Sequence, residues 1–250
     1  MQRLLEIDID TANQQDGLNS ALQALESQAE SRGVEALDLA GLNYLACGSC
    51  LARHLLDVAH GGRHSLSVLG DAHPTASEDA GIVYSSTLEA IDQVGQVLRH
   101  VSDWVSLPEW DRDRAVDGIR HLFHSLSNLL VSINCYAELL LLELPNDSLA
   151  YTPVKALSTS SSQASRVARD RSVMQRLINE REELSGLDRM AKDREILSLL
   201  INTLCANATY TPNAPWQRDR QILGTVAERL PVLESRLLLE AVRRYECVAA

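Results

Sequence analysis

Aromatic residues are scarce in this chain of 250 residues, where they make up 4% of the composition and include a single Phe, Phe123. Sheet cores usually draw on aromatic and β-branched side chains, so this scarcity argues against a β-rich fold. Leu, Ala, Ser, Glu and Arg dominate instead, and they favour helix. No short segment alternates apolar and polar side chains as a strand would. The sequence therefore predicts an all-α protein.

The chain also lacks the marks of membrane, nucleic-acid-binding and secreted proteins. No uninterrupted apolar run reaches the ~18 residues that a membrane span requires. The formal net charge of −11 leaves no basic stripe to offset phosphate repulsion, which argues against nucleic acid as a partner. The five cysteines are an odd number without framework spacing, and the first residues are too acidic for a signal peptide. We therefore expect a reduced, cytoplasmic protein that binds neither membranes nor nucleic acid.

Breaker residues outline the first helices. After a polar region with a short amphipathic stretch around Leu22, a helix is expected over about Ala36–Ala59. The segment Gly61–Ala76 contains three Gly, one Pro and two His, and is expected to form an exposed loop. Ser77 or Thr75 is expected to cap a second helix that runs to about residue 105.

The clearest pattern follows Pro108, after which no helix breaker occurs until Pro145. Apolar residues recur in this segment at alternating spacings of three and four: Val116, Ile119, Phe123, Leu126, Leu130, Ile133, Ala137, Leu140 and Leu144. This heptad seam predicts one long helix that buries a single face. A second apolar row at Leu122, Leu129 and Tyr136 makes the stripe wider than a two-stranded coil requires, which favours a four-helix bundle.

A second long helix is expected from about Ser148 to Leu184, and Gly186 closes it. Its apolar seam is weak and its centre, Ser158–Ser162, is small and polar, so it would be marginal alone. Small side chains let a partner helix approach closely. The two helices would form a long antiparallel hairpin, and two hairpins would pair into a dimeric four-helix bundle. We therefore expect a homodimer.

Further helices are expected to flank this hairpin on both sides. Two of them fit Asp188–Ala208 and Trp216–Tyr245, on either side of a Pro-containing connection. The expected organisation has three parts: an N-terminal helical input or docking module at 1–105, the hairpin at 106–186 and C-terminal helices at 187–250.

The long helix carries the one segment that resembles a known family. Residues 121–140 read HLFHSLSNLLVSINCYAELL. This segment resembles the H-box of the dimerisation and histidine-phosphotransfer (DHp) domain of two-component sensor kinases, where many members read His-Asp-Phe-Asn-Asn-Leu-Leu and then Ile-x-Gly-x-x-Glu-Leu-Leu. The matching positions are His124, Asn128, Leu129, Leu130, Ile133, Glu138, Leu139 and Leu140.

The heptad register places His124 and Asn128 one turn apart, on the face that points away from the seam. An exposed neutral imidazole beside a rigid core can act as a nucleophile near pH 7. The resemblance implies that His124 exchanges phosphate with a receiver-domain aspartate. It also implies that Asn128 orients the water that removes phosphate from a response regulator. The alternative is that both are solvated polar residues on the outside of a bundle helix.

Two departures from the family limit what the resemblance implies. The acidic residue that follows the family's His, and takes up its proton during attack on ATP, is Ser125 in this chain. After Gly186 there is no Asp-x-Gly-x-Gly motif and no Gly-rich lid that could hold nucleotide phosphates. We therefore expect no autokinase activity and no bound cofactor.

Two alternatives to phosphate exchange stay open: a non-catalytic helical adaptor and a zinc-stabilised regulatory protein. The partner that the resemblance implies is a response-regulator receiver domain or a sensor kinase. Cys47, Cys50 and His54 fall on one helical face at spacings that zinc could use. The same face is also typical of close packing, in which buried thiols act as small apolar groups. We therefore expect no metal site.

Overall fold

Five α-helices account for almost all of the described residues, which in this computed structural model are 37–69, 74–104, 107–208, 222 and 225. In chain order the helices are α1 Leu39–Leu69, α2 Pro74–Trp104, α3 Glu109–Glu143, α4 Tyr151–Glu182 and α5 Gly186–Ala208. These residues contain no strand, so the predicted all-α fold is confirmed. The amphipathic stretch around residue 22 and most of the helix expected at 216–245 lie outside the described residues.

The first four helices form a closed bundle within one chain. Helix α1 packs against α2 and α4, and α3 completes the ring because it also packs against α2 and α4. Helices α1 and α2 run in opposite directions, because Gly48 of α1 lies against Leu98 of α2, whereas Gly62 lies against Tyr84. Helix α5 packs on the outside of α4 and α1. Helices that are joined by short connections usually pack beside one another in this way.

The heptad seam of α3 points into this bundle. Every seam residue from Ile119 to Leu144 is buried, and Val116 is half-buried. The Phe123 ring stacks against the Tyr44 ring of α1, with the ring centroids 5.8 Å apart. Burial of each large apolar side chain stabilises the fold by roughly 2 kcal/mol. The seam is therefore covered by the chain's own α2 and α4, together with Tyr44 of α1, without a second copy, and the homodimer stays a prediction.

The loop expected at Gly61–Ala76 is wrong for 61–69 and 74–76, because α1 continues through Gly61 and Gly62 to Leu69 and α2 begins at Pro74. Residues 70–73 lie outside the described residues. Close packing explains the difference. A Cβ atom added to Gly61 would lie 3.0 Å from Leu157 Cβ of α4, so a larger residue would press the two helices apart where they approach. Ser65 Oγ also donates a hydrogen bond to the Gly61 carbonyl at 2.8 Å. Tertiary contact thus overrides the low helix propensity of glycine here.

The small residues in the centre of α4 do allow close helix approach, as predicted. Ser160, Ser161 and Ala164 are buried between neighbouring helices. Asn134 of α3 links the two helices, because it donates a hydrogen bond to Ser165 Oγ and accepts one from Ser161 Oγ at 2.6 Å. These bonds satisfy polar groups that burial would otherwise make costly.

The remaining boundaries join the flanking regions to the bundle. Packing crosses the expected boundary at 105/106, since α1 and α2 form half of the bundle. At the other boundary, Gly186 has a φ of 58°, a left-handed conformation that glycine adopts readily, and the chain turns from α4 into α5 there. A buried ion pair between Arg181 and Asp193 holds the two helices together.

Candidate functional site

His124 and Asn128 are both exposed on the outer face of α3. The buried seam sets this orientation: once Phe123 and Leu126 face the core, positions 124 and 128 must point outwards. The two side chains lie four residues apart, which places them one turn apart on the same face. A protein that approaches α3 from outside the bundle could reach the imidazole.

Ser125 does not replace the missing acid next to His124. It is half-buried on the α2 side of α3, and its Oγ accepts a hydrogen bond from Gln93 Nε2 at 2.9 Å. One turn before and after His124, α3 presents Arg120, His121, Ser127 and Asn128, none of which is a carboxylate. On this helix, therefore, no group within one turn of His124 can accept its proton as a carboxylate would.

A buried cationic and aromatic cluster supports the backbone directly beneath His124. The guanidinium carbon of Arg171, on α4, lies 4.4 Å from the Phe123 ring centroid and 5.8 Å from that of Tyr44. Asn43 Nδ2 donates a hydrogen bond to the Arg171 carbonyl at 3.2 Å. Burial lowers the pKa of the Arg171 guanidinium from its ordinary value. Phe123, the residue before His124, is therefore packed against side chains of both α1 and α4.

Sequence reasoning did not identify this cluster. Phe123 was recognised only as a seam residue, and Arg171 occurs in a helix that is rich in polar residues. Cation–π pairs of this kind depend on which helices become neighbours. No spacing within one segment could have indicated the pair.

The three residues considered for zinc lie in the core. Cys47 donates a hydrogen bond from Sγ to Asn43 Oδ1 at 3.4 Å, and Cys50 donates one to the Thr203 carbonyl at 3.6 Å. Burial raises the pKa of the Cys47 thiol, which disfavours the thiolate that zinc requires. Burial also lowers the pKa of His54 to about 4, so this imidazole is neutral at physiological pH. Among the described residues, no group of three His, Cys, Asp or Glu side chains is arranged to hold a metal ion.

A stripe of exposed apolar residues follows His124 along the outer face of α3. Val131 is 62% exposed, Leu139 is 44% exposed and Leu142 is 83% exposed, and Cys135 is also exposed between them. We call these four residues the outer stripe. The sequence analysis missed it, although Val131, Cys135 and Leu142 continue the heptad spacing of Asn128 on this face. An exposed apolar patch of this kind is typical of an interaction surface.

One cavity lies at another place in the fold. It has a volume of about 340 Å³ and is found where the start of α1 meets the end of α4 and the start of α5; it is lined by Asp38, Leu39, Ala40, Ile178, Arg181, Glu182 and Arg189. None of the residues predicted for the site lines it. Asp38 also caps α1, because its Oδ1 accepts a hydrogen bond from the Gly41 amide at 2.7 Å.

One helical segment of the described chain, Arg114–Glu143, is long and apolar enough to span a membrane by length and composition alone. The core helix of a bundle meets the same criterion. Its seam is buried against the other helices, as described above.

Comparisons with protein-family models, with curated proteins and with solved structures give no match for this chain.

Proposed function

We propose that the chain is a two-component signalling protein without a kinase domain, in which His124 exchanges phosphate with the aspartate of a response-regulator receiver domain. The observation that carries the proposal is the exposed pair of His124 and Asn128, one turn apart on the outer face of α3. It is supported by the resemblance of residues 121–140 to the H-box of DHp domains. A helical bundle with an accessible imidazole is what such an exchange requires of the protein.

The chemistry favours a phosphorylated aspartate over ATP as the donor. The lone pair of a neutral ring nitrogen of His124 attacks phosphorus, the bond from phosphorus to the aspartyl oxygen breaks, and the receiver's carboxylate leaves. The phosphorylated ring is then positively charged, and it releases the proton on its other ring nitrogen to solvent. Attack on ATP would benefit from a carboxylate beside the histidine, and Ser125 is instead hydrogen-bonded to Gln93. We therefore expect no autophosphorylation.

The test is transfer of labelled phosphate from phosphorylated receiver domains of the same genome. We expect acid-labile label on the unmodified protein and none on His124→Ala. His121→Ala is the matched control, since His121 is also exposed on α3 one turn away, and it should be labelled like the unmodified protein. Label that persists on His124→Ala would contradict the proposal.

Asn128→Ala separates the two roles that the resemblance implies. If Asn128 orients the hydrolytic water, this substitution slows release of phosphate from the receiver but leaves the transfer to His124 intact. Loss of both reactions would show that the substitution disrupts docking instead.

The second candidate is a non-catalytic adaptor, and the outer stripe favours it, because exposed apolar residues support binding without chemistry. In that case receiver or kinase binding survives His124→Ala, and no label is transferred by any variant. Val131→Asp, in contrast, would weaken the binding.

A further inference from the structure

Helix α4 is basic in a chain that is acidic as a whole. The net charge of the chain is −11, yet residues 151–179 of α4 contain five basic residues and one acid, Asp170. The other two acids of this helix, Glu180 and Glu182, belong to its last turn. Four of the basic residues are exposed: Lys155, Arg166, Arg169 and Arg176. Before its last turn, α4 therefore presents more positive than negative charge to solvent.

Two of these arginines lie along the side of α4 that faces α3. Asn134 of α3 donates a hydrogen bond to Ser165 Oγ, so Ser165 marks that side of α4. Arg169, Ser172 and Arg176 follow Ser165 at steps of four, three and four residues, a spacing that keeps side chains in line along a helix. All three are exposed. They therefore lie along the outer edge of the contact between α3 and α4.

His124 lies on the matching side of α3. Counted back from Asn134, the residues Val131, Ser127 and His124 follow at steps of three, four and three, so they share one side of the helix. Ser125 lies on a different side, where it accepts a hydrogen bond from α2. The exposed imidazole of His124 is therefore on the half of the outer face that is next to α4.

Two contacts fix the level of His124 along α4. Asn134 of α3 meets Ser165 of α4, whereas Phe123, which comes earlier in α3, meets Arg171, which comes later in α4. The two helices therefore run in opposite directions. His124 is ten residues before Asn134, so the first contact places it opposite the position ten residues after Ser165. The second contact places it just before Arg171.

Arg169 and Arg176 lie on either side of this level. Arg169 comes two residues before Arg171 in α4, and Arg176 comes five residues after it. Helices in contact lie about 8–10 Å apart, and the long side chain of an arginine extends across much of that distance. A phosphoryl group that approaches His124 along this edge therefore comes within reach of both guanidinium groups.

Arg169 has no acid partner among the described residues. Asp170 and Glu180, the acids of α4 that are closest to it in sequence, pair with Arg166 and Arg176 at 3.6 and 3.7 Å. The pair of Arg176 and Glu180 is exposed on both sides, and surface pairs of this kind contribute at most about 1 kcal/mol. Arg169 is therefore available to an anion at once, whereas Arg176 must first leave Glu180.

We propose that Arg169, assisted by Arg176, holds the phosphoryl oxygens of the donor while His124 attacks phosphorus; this inference rests on the proposed function. A phosphoryl group carries about two negative charges at pH 7, and these charges repel the lone pair of the attacking nitrogen. A guanidinium donates two parallel hydrogen bonds to such a group and neutralises part of its charge. Arg169 then both orients the phosphorus atom and lowers this repulsion.

The test measures the rate at which two donors label His124: a phosphorylated receiver domain and labelled phosphoramidate. With phosphoramidate, the His124 nitrogen attacks phosphorus, the bond from phosphorus to nitrogen breaks, and ammonia leaves. This small donor has no protein surface, so it reports contacts with the phosphoryl group alone. Arg169→Gln should lower the second-order rate constant about 10-fold or more with both donors, because a charged hydrogen-bond donor is lost.

Three further variants make the test specific. Arg169→Lys keeps the charge but not the planar fork, so it should restore part of the rate. Arg176→Gln should lower the rate less than Arg169→Gln, because Glu180 competes for this guanidinium. Lys155→Gln is the matched control: it removes one exposed positive charge from the same helix, 14 residues or about 21 Å from Arg169. Its rate should be unchanged, since charges this far apart are screened.

Two measurements separate a phosphoryl contact from other roles of Arg169. Thermal unfolding of Arg169→Gln should match that of the unmodified protein, because the position is exposed. Binding of the unphosphorylated receiver should also be unchanged, because this form lacks the group that Arg169 holds. A rate that falls only with the receiver would assign Arg169 to protein docking and would overturn the inference.

Other outcomes overturn the inference in ways that differ from failure of the proposed function. Label on His124 that Arg169→Gln does not reduce with either donor would remove the role of Arg169 and leave the function in place. An equal loss in Lys155→Gln would show long-range attraction by the helix instead of a local contact, and would also remove that role. If neither donor labels His124 in the unmodified protein, the proposed function and this inference fail together.

Discussion

Helices α1 and α3 differ in the way the bundle uses them. All residues of α1 from Gly41 to Ala52 are buried, because α2, α4 and α5 surround that part of the helix. Helix α3 instead buries one face and exposes the other, which carries both His124 and the outer stripe. A helix that keeps one face in solvent shows its buried seam directly in the spacing of its apolar residues. A helix that is enclosed on most sides has no polar face to define such a seam.

The largest expected effect tests whether the inner face of α3 belongs to the fold of one chain. Leu126→Asp would bury a charge without a partner, and we expect the free energy of unfolding to fall by about 4 kcal/mol or more. Val131→Asp, on the outer face of the same helix, should change it by less than ~0.5 kcal/mol. Denaturant unfolding measures both. A folded, monomeric Leu126→Asp protein of normal stability would show that the seam serves an interface between copies instead.

The second effect tests the enclosure of α1 through pH. Burial, together with the charge of Arg53, lowers the pKa of His54 to about 4, against an ordinary value of 6.5. The unfolded chain therefore binds a proton between these values that the folded chain does not. The contribution of His54 to the free energy of unfolding is fully present above pH 6.5. It is lost as the pH falls towards 4, by about 3 kcal/mol in total.

Replacement of His54 by Gln removes this contribution to the pH dependence. We expect the decrease in unfolding free energy between pH 6.5 and 4 to become smaller by a similar amount in His54→Gln. His121→Gln, at an exposed position of α3, should keep the decrease seen in the unmodified protein. If the unfolding free energy depended on pH in the same way in both variants, His54 would not be protected from protonation by burial.

The smallest effect compares glycines in the two helices. Gly118 of α3 faces open space, so Gly118→Ala should raise the unfolding free energy by about 0.5–1 kcal/mol through helix propensity. Gly61 of α1 lies against Leu157 Cβ, and Gly61→Ala should lower the unfolding free energy by about 1 kcal/mol because α1 and α4 must separate. Thermal or denaturant unfolding gives the sign of each change. A stabilising Gly61→Ala would mean that the contact between α1 and α4 can relax.

Local patterns predicted the helices well where one face is apolar. The seam of α3 and the small residues of α4 indicated their buried faces, because the heptad period relates spacing directly to direction around a helix. The outward orientation of His124 and Asn128 followed from the same register. The prediction of a loop at Gly61 and Gly62 was wrong because propensity describes an isolated chain, whereas here two neighbouring helices pack against these glycines.

The amino-acid sequence was enough to predict an all-α protein, the side of α3 that faces the core, and the outward direction of His124. The folded arrangement alone reveals that α2 and α4 cover the α3 seam, that Arg171 packs on Phe123, and that Gln93 donates a hydrogen bond to Ser125. The physical reason is that amphipathic spacing depends on neighbours within a few residues of the chain. The choice of partner helix depends instead on how the faces of all the helices fit together, and no single segment contains that information.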